Sequence, residues 1–224
     1  MVDADISLYV TEKEYNDNGY HAAYVVKDGL QESFDYYNNN HSSSISYDID
    51  VPYVGGYDVG GEDADCDAGN FGTWREMLNN GEVSGTSPDS NLLISHRGYW
   101  DDANGDGCAA LTGWAAMCEG GKAFDNISSI DDLNRFESGT NRAHRYLCIA
   151  MMEIGHNFGG KHGGDWDHHG RETYGDGAYC WSPIILGYEK HEDTYNECGV
   201  YVDHCFCGDK DRYYSDCMHE EILG

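Results

Sequence analysis

The run MEIGHNFGGKH, Met152 to His162, constrains this 224-residue chain more than any other stretch. It closes an apolar segment that reads as a helix from about Asn141 to Asn157. Within that segment Leu147, Met151, Ile154 and Phe158 recur at spacings of three and four, the mark of a stripe facing a core. Positions 152 and 156 lie one turn apart, so their side chains can address a common point. Glu153 is rotated by about 100° from position 152, which lets it act on a water near that point without binding an ion itself. His162 can return to the same place only if the helix stops and the chain reverses. Gly159, followed by Gly160, supplies the backbone freedom for that reversal. Two imidazoles and a carboxylate gathered in this way point to metal-assisted chemistry.

The rest of the chain supplies strands and helices in alternation. Ile6 to Val10 reads as a short strand and about Gly19 to Tyr37 as a helix, with Val26, Leu30, Phe34 and Tyr37 as its apolar stripe. Ser44 to Val54 alternates like a strand, and a Gly- and Asp-rich loop follows from Gly55 to Asn70. Thr73 to Asn80 is expected as a short helix carrying Trp74, Met77 and Leu78 and stopping at Gly81. Asn91 to Ser95, NLLIS, has the look of a buried parallel strand. Ala109 to Cys118, AALTGWAAMC, reads as a further strand beyond the turn DDANGDG. From Gly163 onward the chain is rich in Gly, Asp, His and Cys and shows little periodicity. This order argues for an α/β fold around a mainly parallel sheet. Residues 1–162 are expected to form an α/β subdomain ending in the helix just described. Residues 163–224 are expected to form a small, irregular, disulfide-rich subdomain of the same domain.

The MEIGHNFGGKH run resembles the metzincin signature, His-Glu-x-x-His-x-x-Gly-x-x-His. It matches at Glu153, His156, Gly159 and His162 and departs at the first letter, where Met152 stands for His. The segment EIGHNFGGKH is similar to the reprolysin branch of that family, the snake-venom and ADAM-type peptidases. That branch often follows its third His with Asp, whereas Gly163, Gly164 and only then Asp165 follow here. The resemblance implies a twisted, mainly parallel sheet with an antiparallel edge strand, packed on long helices. It implies a zinc-dependent endopeptidase, with His156 and His162 as metal ligands and Glu153 as general base. It places an extended substrate along the edge strand, at Ala109, Ala110, Leu111, Thr112 and Gly113. AALTGWAAMC resembles that edge strand with its terminal Cys, and YYSDC resembles the family's C-terminal helix, so the resemblance also implies a Cys118–Cys217 bridge. The family sets a Met in a turn beneath its metal. The segment matching it best, SPIILGY, holds Ile184 or Ile185 there, with Met218 as the other candidate.

The departure at Met152 leaves the activity open on chemical grounds. Catalytic zinc takes three protein ligands plus water, from imidazole and carboxylate by preference, and a thioether suits Cu(I) better. Asp165, Asp167, His168 or His169 in DWDHH could donate a substitute ligand, or zinc could be held weakly. The alternative is a catalytically inactive metzincin-fold module that binds peptide or protein. Calcium is the other cation to weigh, since Asp102, Asn104, Asp106 and Gly107 follow an EF-hand order. Gly113 stands where the bidentate Glu would be, so an ordinary Gly/Asp turn is the favoured reading. His21, His41, His96, His144, His191, His204 and His219 read as surface or packing residues.

Composition narrows the setting and the partners. Forty-one acidic residues against thirteen basic ones give a formal charge of −28. Repulsion on that scale is relieved by salt, so the many Asp and few Lys suggest a high-salt environment, with an ordinary acidic secreted protein as the alternative. No basic stripe exists to neutralise phosphates, which argues against nucleic acid. No run of eighteen apolar residues is present, so no membrane span is expected. Nine cysteines without a CxxC pair suggest disulfides and an extracellular location. Their odd number leaves a thiol over, for which Cys148 on the apolar helix is the candidate. No secretory leader is recognisable after Met1, where Val2, Asp3, Ala4 and Asp5 follow at once, so a mature form, a fragment or a cytosolic protein is expected. The expected partner is a peptide or protein substrate met by a monomer.

Overall fold

A computed structural model of the chain describes residues 3–61, 69–97, 107–109, 113–133, 141–160, 171–173, 179–181, 209–210, 214 and 216–223. The chain begins with strand β1 (Ala4–Val10), helix α1 (Glu12–Asn18), helix α2 (His21–Asn40) and strand β2 (Tyr47–Asp50). Helix α3 (Asn70–Asn79) and strands β3 (Ser90–Ile94), β4 (Gly107–Ala109) and β5 (Ala115–Cys118) follow, then helix α4 (Asn141–Asn157). The C-terminal stretch contributes short strands β6 (Arg171–Thr173), β7 (Tyr179–Trp181) and β8 (Asp209–Lys210) and helix α5 (Asp216–Leu223).

The main sheet has the order β2-β1-β3-β5-β4. Strands β2, β1, β3 and β5 run parallel. The sheet is therefore of α/β type, as expected. Strand β3 sits between β1 and β5 with every residue buried, which is why its sequence reads as a continuous apolar run. The segment from Ala109 to Cys118 is not one strand. Among its described residues, Ala109 alone belongs to the outer strand β4, which runs antiparallel to β5, while Ala115–Cys118 lies inside the sheet beside β3. Gly113 falls in a bend between them, and Ala110, Leu111 and Thr112 lie outside the described residues.

Alternation along the strands builds two apolar layers. Leu8, Val10, Leu92, Ile94, Ala116 and Cys118 face α2 and α4, meeting Val26, Leu30, Phe34, Leu147, Met151 and Ile154. Tyr9, Leu93 and Met117 point the other way, onto Trp74 and Leu78 of α3. Each of these fully buried aliphatic side chains contributes about 1.5–3 kcal/mol through its removal from water. Helices α2 and α4 approach closely at Gly29, where a Cβ would stand 2.7 Å from a methyl of Leu147. Tyr214, Met218 and Ile222 join the same layer, so α5 and the residue just before it pack on the main core. Tyr214 donates its N–H to Ser33 Oγ at 3.0 Å and its hydroxyl to the Met151 carbonyl at 2.6 Å, tying α2 to α4. Among the described residues, no helix is long and apolar enough to cross a membrane.

Candidate metal centre

Helix α4 spans Asn141–Asn157, as its periodicity indicates, and its end is fixed in three ways. Asn157 is buried and reaches across the sheet, accepting from Ser90 Oγ at 2.7 Å and donating to the Ala115 carbonyl at 3.0 Å. The helix then stops at Gly159, whose φ of 99° lies in the left-handed region that favours glycine. Gly160 N–H bonds back to the Gly155 carbonyl at 2.9 Å and Gly159 N–H to that of His156 at 3.1 Å. That is the pair of contacts of a Schellman stop.

The stop also orients His156. The carbonyl of Gly160 turns back over the helix end and lies 2.6 Å from His156 Nδ1, which as the only possible donor of the pair carries the proton. In that tautomer the lone pair sits on Nε2. Burial holds the ring's pKa below its ordinary value and so favours the neutral form, with the Gly160 contact opposing it. A neutral imidazole fixed through one nitrogen to a backbone carbonyl is the state in which histidine ligates a metal. The chemistry at His156 therefore fits zinc.

The chemistry at Met152 does not. Its side chain is 7 % exposed and belongs to the apolar layer with Ile149 and Met151. It offers a thioether where a zinc site would have an imidazole. Glu153 is 3 % exposed, and its charge is felt by the neighbouring Cys118 thiol. Burial first, then Glu153 and Glu119, push that thiol well above the ordinary cysteine range. Cys118 is a buried free thiol enclosed between the sheet and α4, and the side chain of Cys217, its expected partner, lies outside the described residues. Cys148 is likewise a buried thiol and lies 3.9 Å from His144 Nδ1.

The structure thus brings Met152, Glu153 and His156 to the end of one helix and reverses the chain directly after them. His162, the DWDHH segment, Ile184 and Ile185 lie outside the described residues, as does all of DDANGDG except Gly107. Among the described residues, no group of three or more His, Cys, Asp or Glu side chains is placed to hold a metal ion. Asn157, within the matched run, and Met218, the alternative to Ile184 and Ile185, both take part in the geometry of this helix end, roles that the spacing of the motif does not specify. The Met218 sulfur packs under the turn, 2.8 Å from where a Cβ on Gly160 would stand.

No protein-family model matches this chain, and no curated protein does. Among solved structures it is similar to one described as the structure of a chaperone-substrate complex, with a TM-score of 0.45 and 14% identity. The match covers 78% of this chain and 27% of that one, so this chain spans about a quarter of the other's length.

Proposed function

We propose that this chain is a metzincin-type metalloendopeptidase domain, with His156 and His162 as zinc ligands and Glu153 as general base. The observation that carries the reading is the His156 imidazole, neutral and held through Nδ1 by the Gly160 carbonyl across the stop at Gly159. The sheet order, with the short antiparallel β4 outside parallel β5, supports it as well.

When bound, zinc would supply a Lewis acid that acidifies water and polarises a carbonyl. The chain's own part is to hold His156 in one tautomer and to keep a carboxylate one residue beyond position 152. Glu153 takes a proton from the attacking water and returns it to the leaving amine. An extended peptide would lie along Ala109 to Gly113, adding its backbone to the β4 edge. A secreted protein working in high salt is the setting that agrees with the charge and the cysteines.

The test compares zinc content after dialysis, and peptide hydrolysis at high salt, for the native chain, Met152→His and Glu153→Gln. Met152→His is expected to raise zinc occupancy and turnover. Glu153→Gln should keep the metal of the native chain and lose cleavage. If Met152→His gains neither zinc nor activity, the ligand assignment fails. A second reading, a non-catalytic module that holds peptide without cutting it, is favoured by the apolar burial of Met152. It predicts peptide affinity without zinc, unaltered in Glu153→Gln.

A further inference from the structure

The large apolar and aromatic side chains left exposed among the described residues are Tyr15, Tyr24, Tyr53 and Val54. They fall in one patch. Tyr15 meets Tyr20 edge to face with ring centres 5.1 Å apart, and Tyr20 meets Tyr53 in the same way at 5.4 Å. The hydroxyls of Tyr24 and Tyr53 are hydrogen-bonded to each other. Tyr20 is half-buried and packs on the main core, and its hydroxyl accepts the Gly55 N–H at 2.7 Å. The patch is therefore anchored. Its outermost ring, Tyr53, is 79 % exposed, which a scattered surface tyrosine does not need neighbours to explain but four linked rings do.

The charge around these rings is one-sided. Helices α1 and α2 and strand β2 present Glu12, Asp28, Asp48 and Asp50 as exposed carboxylates, and the charge of Asp50 reaches Tyr24. The lysines of the same elements are already engaged, Lys13 with Asp17 and Lys27 with the Ile49 carbonyl. Tyr24 is pushed up to about 12, first by its hydrogen bond with Tyr53 and also by the charge of Asp50, so its ring stays neutral. Neutral aromatic faces attract cations, guanidinium most often, and surrounding carboxylates raise the local concentration of positive groups. We infer that Tyr15, Tyr20, Tyr24 and Tyr53 form a docking surface for an arginine-bearing segment of a protein partner. This surface is separate from the end of α4 and does not depend on its chemistry.

The test uses a fluorescein-labelled decapeptide of alternating glycine and arginine, with a glycine–glutamine peptide as control, in chelator at physiological ionic strength. Anisotropy gives the affinity for the native chain, Tyr24→Ala/Tyr53→Ala and Tyr24→Phe/Tyr53→Phe, each checked by circular dichroism. Each lost ring is expected to weaken binding about two- to fivefold. The double alanine variant should therefore bind roughly tenfold more weakly, and the phenylalanine variant close to native. The inference is overturned if the alanine variant binds as well as native, which would assign the peptide to overall charge. It is overturned equally if the phenylalanine variant is as weak as the alanine one, or if the glutamine peptide binds as well. Sedimentation showing a native dimer that the alanine variant abolishes would give the patch to a second copy of the chain instead.

Discussion

Glu14 and His96 meet inside the fold, with Oε2 of the carboxylate 2.6 Å from Nδ1 of the ring. Glu14 has no exposed surface, and its other oxygen accepts from Asn18 at 3.3 Å. His96 turns its second nitrogen toward Asp17, 3.3 Å away, so carboxylates stand at both ends of the imidazole. The contact ties α1 to the segment that follows β3. His96 thus packs by a specific hydrogen bond to a buried carboxyl group.

This contact has a pH signature. Burial pushes the Glu14 carboxyl above its ordinary value of 4.5, with the His96 contact opposing. A pKa raised by folding means that the group's contribution is complete below the ordinary value and is lost as pH rises through the folded one. Glu14→Gln has no such titration. The stability of the native chain relative to this variant should therefore fall as pH rises above about 4.5. Urea melts across the acid range at constant high salt measure it. A difference that stays flat, or grows with pH, would contradict the assignment.

Helix α1 shows where the sequence is hard to read. Glu12–Asn18 has no apolar stripe, so periodicity is silent, and the helix expected from Gly19 to Tyr37 is in fact α2 from His21 to Asn40. The missed signal is the order Thr11-Glu12-Lys13-Glu14, a Ser/Thr-x-x-Glu start, and Thr11 Oγ1 does accept the Glu14 N–H at 3.4 Å. Strand β2 errs the other way. Ser44 to Val54 alternates throughout, yet only Tyr47–Asp50 pairs with β1, because pairing depends on a partner that alternation does not contain. Strand β3 and helix α4 were legible because burial on all sides, or along one stripe, writes itself into local apolar order.

Asn157 should be a large single contributor to the placement of α4. Replacing it with Ala removes two buried hydrogen bonds and strands the Ser90 hydroxyl and the Ala115 carbonyl. A loss of about 2–3 kcal/mol is expected, read as a lower urea midpoint with an unchanged slope. Asn157→Asp should also be costly, since Ala115 would then face a second acceptor.

The stop after α4 makes a graded prediction. Gly159→Ala forces a Cβ into the left-handed region and should cost about 1–2 kcal/mol. Gly160→Ala should cost more, because its Cβ would meet the Met218 sulfur at 2.8 Å and the Gly155 carbonyl oxygen at 2.9 Å. The thioether can yield, but the carbonyl cannot. Adding Met218→Ala to Gly160→Ala should therefore recover only part of the loss in thermal melts. Full recovery would show that the backbone contact is unimportant.

The candidate site was legible to the extent that its geometry is local. Met152, Glu153, His156 and Gly159 are set by helical spacing and one left-handed glycine, both of which are properties of adjacent residues. The Nδ1 contact of His156 needs the Gly160 carbonyl to turn back, which the spacing permits but does not specify. Cys118 illustrates the limit more sharply. The resemblance implies a partner for it, but its burial against α4 depends on where β5 falls in the sheet, which no local pattern specifies.

That difference can be checked directly. Cys118 and Cys148 are both buried thiols, and the raised pKa of Cys118 further suppresses its thiolate, the reactive form. Native protein treated with iodoacetamide should leave both unmodified, and the same treatment in urea without reductant should modify both. Peptide mass spectrometry distinguishes the outcomes. A Cys118 peptide that stays unmodified in urea and appears joined to Cys217 would restore the bridge. If instead Cys118 is modified in native protein, β5 is not enclosed by α4, and the burial of neighbouring Glu153 loses its basis.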